Sequence, residues 1–313
     1  MQTPDLGPPA RGERVPYAEL PEAVHRWVDR TLGARVTGAA TQHSGFSPGV
    51  AARLVCADGR RAFVKAVSAE RNALSVTMHR REAEIVAALP PGLPVPRLLA
   101  TYDDGNVVAL LFEDIDGRHP QLPWRTDELA AVLAVLDRLA GALTPSPVPA
   151  EPLTVTHAED FQGWRTLAAR APRGLDDWSR CHLDRLAALE PAWVQACAGD
   201  TLLHVDTRAD NLLLDAAGSV WLVDWPWASL GPAWADLALF APSVAMQGGP
   251  DPDELLAGRV DRETLAAFVC AVAGLFTERS LRPPPPGIPT LRAFQAAQGH
   301  VARRWLAELT GWS

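Results

Sequence analysis

Residues 201–214 read TLLHVDTRADNLLL, a group of polar residues enclosed by two apolar runs. The polar group contains His204, Asp206, Arg208, Asp210 and Asn211. Short apolar runs of this kind are typical of buried strands, and polar groups between buried strands must be hydrogen-bonded or have a chemical function. Shortly afterwards VWLVDW, residues 220–225, places Asp224 after another apolar run. The two stretches together predict a site built from carboxylate and amide oxygens.

Three of these side chains are predicted to meet at one edge of a hairpin. Asn211 begins one strand of the hairpin and Asp224 follows its partner strand, while Asp206 precedes Asn211 by five residues. Carboxylate and amide oxygens are the ligands that Mg²⁺ accepts, together with phosphate oxygens. The ordered pattern H-x-D-x-x-x-x-N followed by an apolar run and Asp matches the phosphoryl-transfer arrangement of kinases.

Residues 1–115 have the pattern of a small lobe of strands with one inserted helix. Two hairpins are predicted, one over residues 50–67 with its turn at Asp58-Gly59 and one over residues 96–114 with its turn at Asp104-Gly105. Helical spacing of apolar residues predicts a first helix over residues 17–32 and the inserted helix over residues 77–89. Residues 1–16, rich in Pro and Gly, are expected to form a loose tail.

Residues 116–313 are mainly helical in pattern. Helices are predicted over residues 126–143, 160–171, 177–198, 233–247, 261–280 and 288–311. Only residues 211–223 interrupt them, with two short strands. The expected architecture is therefore α+β, with an antiparallel sheet lobe carrying one inserted helix, followed by a helical lobe that holds the catalytic loop and the acceptor site.

Composition narrows the classes of function. The chain has 313 residues, 48% of them hydrophobic and 21% charged, enough for two lobes with separate cores. A net charge of −8 argues against general binding to nucleic acid or to an anionic membrane surface. Four scattered cysteines lack metal-type spacing, which favours buried, reduced thiols. The first residues lack the apolar core of a signal peptide, so a cytoplasmic protein is expected.

Lys65 is the single lysine of the chain, in the strand pattern AFVKAV. A lysine in a buried strand needs a partner, and in phosphoryl transfer a strand lysine binds the α- and β-phosphates and pairs with a helical glutamate. Glu82 and Glu84 both lie on the predicted inserted helix, two residues apart, and therefore face in different directions. From the residues alone either one is a candidate partner.

The motifs resemble those of the aminoglycoside phosphotransferase family, which shares the protein-kinase-like fold. HVDTRADN, residues 204–211, is similar to the family's H-G-D-x-x-x-x-N, and LVDW, residues 222–225, to its I-D-W. The resemblance extends from about residue 34 to the final helix. It implies that Asp206 is the catalytic base or orients the hydroxyl, that His204 braces the loop, and that Asn211 and Asp224 bind Mg²⁺.

The resemblance also assigns residues to the nucleotide. The family pattern R-E-x-x-x-L favours Glu82 as the partner of Lys65. In HSGFSPGV, residues 43–50, a phosphate-covering loop is expected, with contacts from Ser44, Gly45, Ser47 and Gly49. The segment LLFEDIDG resembles the family hinge, in which main-chain groups of Glu113, Asp114 and Ile115 would pair with the adenine edge. Arg208 has two equal interpretations, contact with the transferred phosphoryl group or an ion pair with Asp210.

Departures from the family pattern concern the acceptor. Val205 stands where the family often has Gly, and TRAD replaces its frequent L-H-P-G. The predicted activity is transfer of the γ-phosphoryl group of ATP, or of GTP, with Mg²⁺, to a hydroxyl of a small molecule such as an aminoglycoside-like antibiotic, with a role in antibiotic resistance. Choline, homoserine, macrolide or sugar-like acceptors, or a non-catalytic pseudokinase, are the alternatives. No nucleic-acid or membrane partner is expected, and the chain is expected to be a monomer or weak dimer.

Overall fold

A five-stranded antiparallel sheet forms the amino-terminal lobe of the computed structural model, which describes residues 6–170 and 174–313. Its strands are β1 (Val36–Thr41), β2 (Val50–Cys56), β3 (Arg61–Ser68), β4 (Leu98–Asp103) and β5 (Val107–Glu113). They lie in the order β1-β2-β3-β5-β4, so β3 is the central strand. Helix α1 (Glu22–Leu32) covers one face of the sheet, and α2 (Ala69–Ala88) packs on the other.

The two-residue period of β3 determines where Lys65 points. Ala62, Val64 and Ala66 are buried in the core shared with α1. Since successive side chains of a strand point to opposite faces, Lys65 lies on the other face, with α2. In the sheet Lys65 is paired with Ala51 of β2 and Leu110 of β5. The only lysine of the chain is thereby fixed in the middle of the sheet, facing the interlobe cleft.

The carboxy-terminal lobe is mainly helical. Its helices are α3 (Thr126–Ala142), α4 (Leu153–Thr156), α5 (Gly163–Arg170), α6 (Asp177–Cys181), α7 (Leu183–Leu189), α8 (Trp193–Ala196), α9 (Ala235–Met246), α10 (Pro252–Leu256), α11 (Arg262–Ser280) and α12 (Leu291–Thr310). Its short strands are β6 (Gly117–Arg118), β7 (Thr201–Leu203), β8 (Leu212–Asp215), β9 (Val220–Leu222) and β10 (Ser229–Gly231). The predicted α+β architecture with two lobes is confirmed.

Two of the predicted helices have different boundaries in the structure. Helix α2 is interrupted at Asn72, whose φ and ψ are −161° and 101°, and the Asn72 side chain accepts a hydrogen bond of 2.8 Å from Ser75 N–H. The continuous helix thus begins directly after an Asn cap at residue 72, ahead of the predicted start at residue 77. The predicted helix over residues 177–198 is divided into α6, α7 and α8. Residue 171, the end of another predicted helix, lies outside the described residues.

Residues 10–15, here called the strap, depart from the loose tail expected from their composition. Arg11 forms a bridge with Ser44 and Arg14 with Gly49, so the strap pairs with loop 43–50. Glu13 N–H donates to Gly287 C=O over 2.8 Å. The strap therefore contacts loop 43–50 and the link between α11 and α12. Residues 1–5, the start of the expected tail, lie outside the described residues.

Among the described residues, no helix combines the length and the apolar character that crossing a bilayer requires. The four cysteines are free; Cys56, Cys197 and Cys270 are buried, whereas Cys181 is exposed, unlike the expectation of buried thiols.

Candidate active site

A cleft of about 1070 Å³, including its open mouth, lies between the two lobes. Of the predicted site residues, its wall includes Ser44, Gly45, Ser47, Lys65, Glu82, Glu113, Asp114, Ile115, Asn211 and Asp224. Gly49, His204, Asp206 and Arg208 are not part of this wall. The cleft thus brings together most of the residues predicted for nucleotide and metal. Asp210 and Asn211 of the predicted catalytic loop, residues 204–211, also line it, and the earlier part of that loop lies behind the wall.

Lys65 lies between two carboxylates from different parts of the chain, in what we call the Lys65 cluster (Lys65, Glu82 and Asp224). Its Nζ is 2.7 and 3.0 Å from the two oxygens of Glu82 and 2.8 Å from Asp224 Oδ1. Glu84, the other candidate partner, is exposed. Because β3 and α2 belong to the sheet lobe and Asp224 follows β9, the cluster joins the two lobes.

Electrostatics in the Lys65 cluster favour the charged forms of Lys65 and Asp224. Burial opposes ionisation of the Lys65 ammonium, but the charges of Asp224 and Glu82 outweigh it and raise the pKa of Lys65. Burial likewise opposes ionisation of Asp224, yet Lys65 and Arg208 hold the pKa of Asp224 well below its usual range. The pKa of Glu82 is raised, mainly by burial. The cluster is therefore a firmly charged pair with a buried second carboxylate.

The catalytic loop contains a second cation between two carboxylates, the Arg208 cluster (Arg208, Asp206 and Asp210). Arg208 donates from Nη1 to Asp206 Oδ1, and from Nε and Nη2 to Asp210 over 3.0 and 2.9 Å. The ion pair with Asp210 predicted as one interpretation of Arg208 is present, but only 12% of the arginine side chain is exposed, so it is not a surface pair. The guanidinium also lies 5.1 Å from the centre of the Phe46 ring.

Asp206 has the environment of a carboxylate that can take up a proton. Its side chain is 28% exposed. Burial in the loop raises the pKa of Asp206 to about 6, against the opposing effect of the Arg208 charge. A carboxylate with a pKa raised toward neutrality is better matched to proton transfer than an ordinary one.

Asn211 is turned so that its amide nitrogen is used inside the loop. Nδ2 donates to Asp206 C=O over 2.8 Å and to Asp206 Oδ2 over 3.2 Å. Its side-chain oxygen, Oδ1, accepts no hydrogen bond from any described residue, and Asn211 and Asp224 line the same cleft. Val223 N–H donates to Asn211 C=O over 2.9 Å, which holds the two segments side by side.

The donor chemistry of Asn211 and Asp224 fits Mg²⁺. One carboxylate and one amide oxygen are hard ligands, and Mg²⁺ typically takes its remaining ligands from phosphate and water. In the part of the chain that the structure describes, no group of three or more His, Cys, Asp or Glu residues forms a metal cage. A metal that takes its other ligands from a nucleotide is compatible with Asn211 and Asp224.

His204 and Asp236 hold the catalytic loop from behind. His204 is fully buried, and its Nε2 is 3.0 Å from Val223 C=O. The two oxygens of Asp236 accept the backbone N–H groups of His204 and Val205 over 2.8 and 2.7 Å. A fully buried ring cannot contact substrate, so His204 is positioned to brace the loop.

Backbone strain occurs at two positions of the site. Val205 has φ of 71° and Asp224 has φ of 72°, and no other described residue except glycine has a positive φ. A β-branched residue in this left-handed region is disfavoured sterically. The conformation explains why Gly suits the position of Val205, and strain of this type is concentrated at functional sites.

Loop 43–50 is held by groups that sequence reasoning missed. Ser44 Oγ is 2.9 Å from His119 Nε2, and His119 Nδ1 is 3.0 Å from Leu212 C=O. The ring thus joins the loop to β8. Gly49, with φ of 126°, lies so close to β3 that a Cβ there would approach Ala66 C=O to 2.5 Å. Gly49 therefore shapes the loop and is not part of the cleft wall.

At the hinge, most main-chain groups already have partners. Glu113 N–H donates to Arg97 C=O over 3.0 Å, and Ile115 C=O accepts from Gly117 N–H over 2.8 Å. The Asp114 carboxylate pairs with Arg53 and Arg61 and is only 3% exposed. Ile115 N–H has no hydrogen-bond partner among the described residues and is the main-chain donor left for a base.

Arg14 was not predicted from the sequence, although its side chain forms part of the cleft wall. The sequence signal was absent because residues 1–16 have no periodicity and no motif. Two tryptophans near Asp224 pack against other rings: Trp225 is buried against His204, and Trp234 packs on Phe268.

With the geometry established, comparisons with known proteins give one consistent result. Residues 43–275 match the family model described as APH, phosphotransferase enzyme family. Among curated proteins no significant match was found.

Solved structures resemble the whole chain. A thermostable mutant of aminoglycoside phosphotransferase APH(4)-Ia, in a ternary complex with ADP and hygromycin B, has a TM-score of 0.62 and 16% identity, with 93% of this chain and 100% of that chain covered. Spectinomycin phosphotransferase APH(9)-Ia, in complex with ADP and spectinomycin, has a TM-score of 0.56 and 12% identity, covering 90% and 97%. Choline kinase LicA from Streptococcus pneumoniae has a TM-score of 0.56 and 14% identity, covering 90% and 98%. The fold is thus shared with proteins that are named for different acceptors.

Proposed function

Because its residues 43–275 match that family model, the chain belongs to the phosphotransferase enzyme family, and we propose that it transfers the γ-phosphoryl group of ATP to a hydroxyl of a small polar molecule. The family match and the shared fold support a small-molecule kinase. The nucleotide, the metal, the residue roles and the acceptor class are the parts that we add as a proposal.

The Lys65 cluster is the observation that carries this proposal. The Lys65 ammonium lies 2.8 Å from Asp224 Oδ1, so a cation from the sheet lobe and a carboxylate from the helical lobe meet in one cleft with Asn211. Phosphoryl transfer to a hydroxyl needs this combination, since a strand lysine binds the α- and β-phosphates and oxygen donors share a metal with the phosphates.

Each residue then has a defined part in the reaction. Asn211 Oδ1 and the Asp224 carboxylate would hold Mg²⁺, which would supply positive charge to offset the negative charge of the phosphates. Asp206 orients the acceptor hydroxyl in line with the γ-phosphate and accepts its proton as the new P–O bond forms and the bond to ADP breaks. Arg208 holds the Asp206 carboxylate in place. Apolar side chains of Phe63, Phe112 and Leu213 line the cleft where the base would lie.

The hinge is compatible with ATP as the donor. The free N–H of Ile115 is a hydrogen-bond donor, and adenine offers an acceptor nitrogen on its Watson–Crick edge. GTP is the alternative donor to be compared. A cytoplasmic location goes with this proposal because ATP is made and consumed in the cytoplasm.

For the acceptor, we propose an aminoglycoside-like antibiotic or another polyhydroxylated polar molecule, with a role in resistance if it is an antibiotic. This proposal is supported by the aminoglycoside phosphotransferases among the similar structures. Choline is the main competing acceptor, supported by the similar choline kinase fold.

An acceptor screen tests the proposed function. The purified chain is incubated with Mg²⁺, with ATP or GTP, and with a panel of aminoglycosides, spectinomycin, macrolides, choline, homoserine and sugars, and ADP or GDP release is measured. We expect release that requires both Mg²⁺ and one class of acceptor. Asp206→Ala is the matched control, and it should bind ATP but release no ADP. Nucleotide binding with no turnover over the whole panel would favour a pseudokinase, and the absence of nucleotide binding would refute the proposal.

A further inference from the structure

Arg14 brings a guanidinium from the amino-terminal strap to the wall of the interlobe cleft. Its Nη1 donates to Ser47 C=O and its Nη2 donates to Ser44 C=O, both in loop 43–50. The side chain therefore lies against the loop that is expected to cover the phosphates.

The Arg14 charge is not matched by a carboxylate in contact. In residues 6–170 and 174–313 no ion pair includes Arg14, and its Nε is buried without a hydrogen-bond partner. Asp224 and Asp210 attract the guanidinium only from beyond ion-pair distance, and burial lowers the pKa of Arg14. A partly buried cation that lacks a counter-ion in contact is costly, which points to an anionic ligand.

Other cations of the cleft differ from Arg14 in this respect. Lys65 is held by Glu82 and Asp224, and Arg53 is held by Asp114 and Asp116. Behind the cleft wall, Arg208 is held between Asp206 and Asp210. Among the described cations of this region, Arg14 is thus the one whose charge is still available to a ligand.

The strap is anchored so that Arg14 keeps its position relative to both lobes. Val15 N–H donates to Gly49 C=O over 3.0 Å, and Gly45 N–H donates to Ala10 C=O over 3.2 Å. On the other lobe, Glu13 N–H donates to Gly287 C=O over 2.8 Å and Thr290 Oγ1 donates to Arg11 C=O over 3.2 Å. A group positioned in advance loses less conformational entropy when the ligand binds.

We propose that Arg14 binds the polyphosphate of the nucleotide, as a second cation that acts from the side of loop 43–50 while Lys65 acts from the sheet. This inference rests on the proposed function, since it requires a nucleotide in the cleft. Arg14 accordingly contributes to the affinity for the phosphates and not for the base. A guanidinium fork suits two phosphate oxygens at once, in addition to the loop carbonyls that it already contacts.

Affinities for ATP, ADP and AMP, measured by calorimetry on three variants of the full chain, test this inference. Arg14→Gln should weaken ATP binding by about 10- to 100-fold and AMP binding by less than about threefold, since a buried charge contact is lost only where the outer phosphates are bound. Arg14→Lys, which keeps the charge but not the fork, should weaken ATP binding less than Arg14→Gln does. Arg11→Gln is the matched control, because Arg11 lies in the same strap with an exposed side chain, and it should bind as the wild type does.

Each alternative outcome has a distinct meaning. The inference is overturned if Arg14→Gln binds ATP like the wild type. It is also overturned if Arg14→Gln and Arg14→Lys weaken the binding of ATP, ADP and AMP equally, because Arg14 then only shapes the loop. If Arg14→Gln does not fold, Arg14→Lys decides, because an equal loss of affinity for ATP, ADP and AMP in that variant contradicts a contact with the outer phosphates. If the wild type itself binds no nucleotide, the proposed function fails before the inference is tested.

Discussion

Two clusters in this molecule have the same charges and different construction. The Lys65 cluster places an ammonium between Glu82 and Asp224, which lie 17 and 159 residues away along the chain. The Arg208 cluster places a guanidinium between Asp206 and Asp210, each two residues away. One therefore depends on the packing of two lobes, and the other on the conformation of a single loop.

Their difference indicates separate functions. Lysine is a compact point charge on a flexible stem, which can change partners when phosphates arrive, whereas arginine is a rigid fork that fixes two carboxylates at once. We infer that the Lys65 cluster serves the nucleotide and the Arg208 cluster serves the acceptor hydroxyl through Asp206. Changes to one cluster should therefore leave the function of the other largely intact.

Removal of the Lys65 charge should have the largest effect on stability. Lys65→Met leaves Glu82 and Asp224 without their cation, and loss of one partner of a buried ion pair lowers the free energy of unfolding by about 3–5 kcal/mol. Chemical denaturation measures this. The double variant Lys65→Met/Glu82→Gln should recover part of the lost stability. The exposed ion pair of Arg26 and Glu22 provides a control, because Arg26→Met should lower the free energy of unfolding by less than about 0.5 kcal/mol. Equal losses at both sites would contradict the described burial.

Exchange of the two cation types sharpens the comparison. Lys65→Arg forces a planar fork into a site with 15% of the side chain exposed, and we expect turnover to fall by about 100-fold because the phosphates are misplaced. Arg208→Lys should lower turnover by about tenfold, since an ammonium cannot hold both carboxylates, and should leave the Kd for ATP unchanged. Steady-state kinetics and calorimetry distinguish the two. A loss of ATP affinity in Arg208→Lys would show that the clusters are not separate.

Acid should destabilise the protein through a histidine outside both clusters. His157 lies near Asp160, Arg279 and Arg81, and burial lowers its pKa to about 4, below its ordinary value of about 6.5. Between these two pH values the unfolded chain therefore binds more protons than the folded protein does, so the free energy of unfolding decreases as the pH falls. From pH 7 to pH 5 the loss from this group is about 2 kcal/mol.

Denaturation at the two pH values tests this expectation for His157. The variant His157→Phe should lose about 2 kcal/mol less than the wild type over the same interval. The exposed His300 supplies the control, because His300→Phe should follow the wild type. If His157→Phe follows it as well, the acid sensitivity belongs to other groups, the clusters included.

Relief of strain beside the Arg208 cluster should have the smallest effect. Val205→Gly removes a β-branched residue from φ of 71°, and we expect a gain of about 1 kcal/mol in stability after the entropy of the unfolded glycine is subtracted. Thermal unfolding measures the gain as a rise of Tm. Turnover should change little, because Asp236 holds the Val205 N–H in either case. A lower Tm would mean that packing of the valine side chain outweighs the strain.

The two clusters also show what the sequence can reveal. All members of the Arg208 cluster lie within five residues of sequence. The motif, and the ion pair of Arg208 with Asp210 as one interpretation, could therefore be predicted directly from the sequence. For the Lys65 cluster, the unique lysine was evident, but Glu82 and Glu84 could be separated only by the orientation of α2. The very short β6 and β10 were not predicted, because two or three residues show no period. The strand β1 was not predicted because its sequence, VTGAAT, does not alternate large apolar and polar side chains.

Arg14 and His119 were missed for a different reason. Both act through tertiary placement, one from a Pro- and Gly-rich strap and one from an interlobe segment, and neither lies in a motif. The acceptor class was not readable either, since the helical lobe that would bind it carries only the general pattern of amphipathic helices.

The Mg²⁺ dependence of ATP affinity in Asp224→Asn and Asp206→Asn tests the separation of the two clusters most directly. Calorimetric titrations with and without Mg²⁺ should show that Asp206→Asn keeps the wild-type gain in affinity, whereas Asp224→Asn loses it. If both variants lose the gain equally, or if both keep it, Asp224 does not serve the nucleotide separately from Asp206 and the account is contradicted.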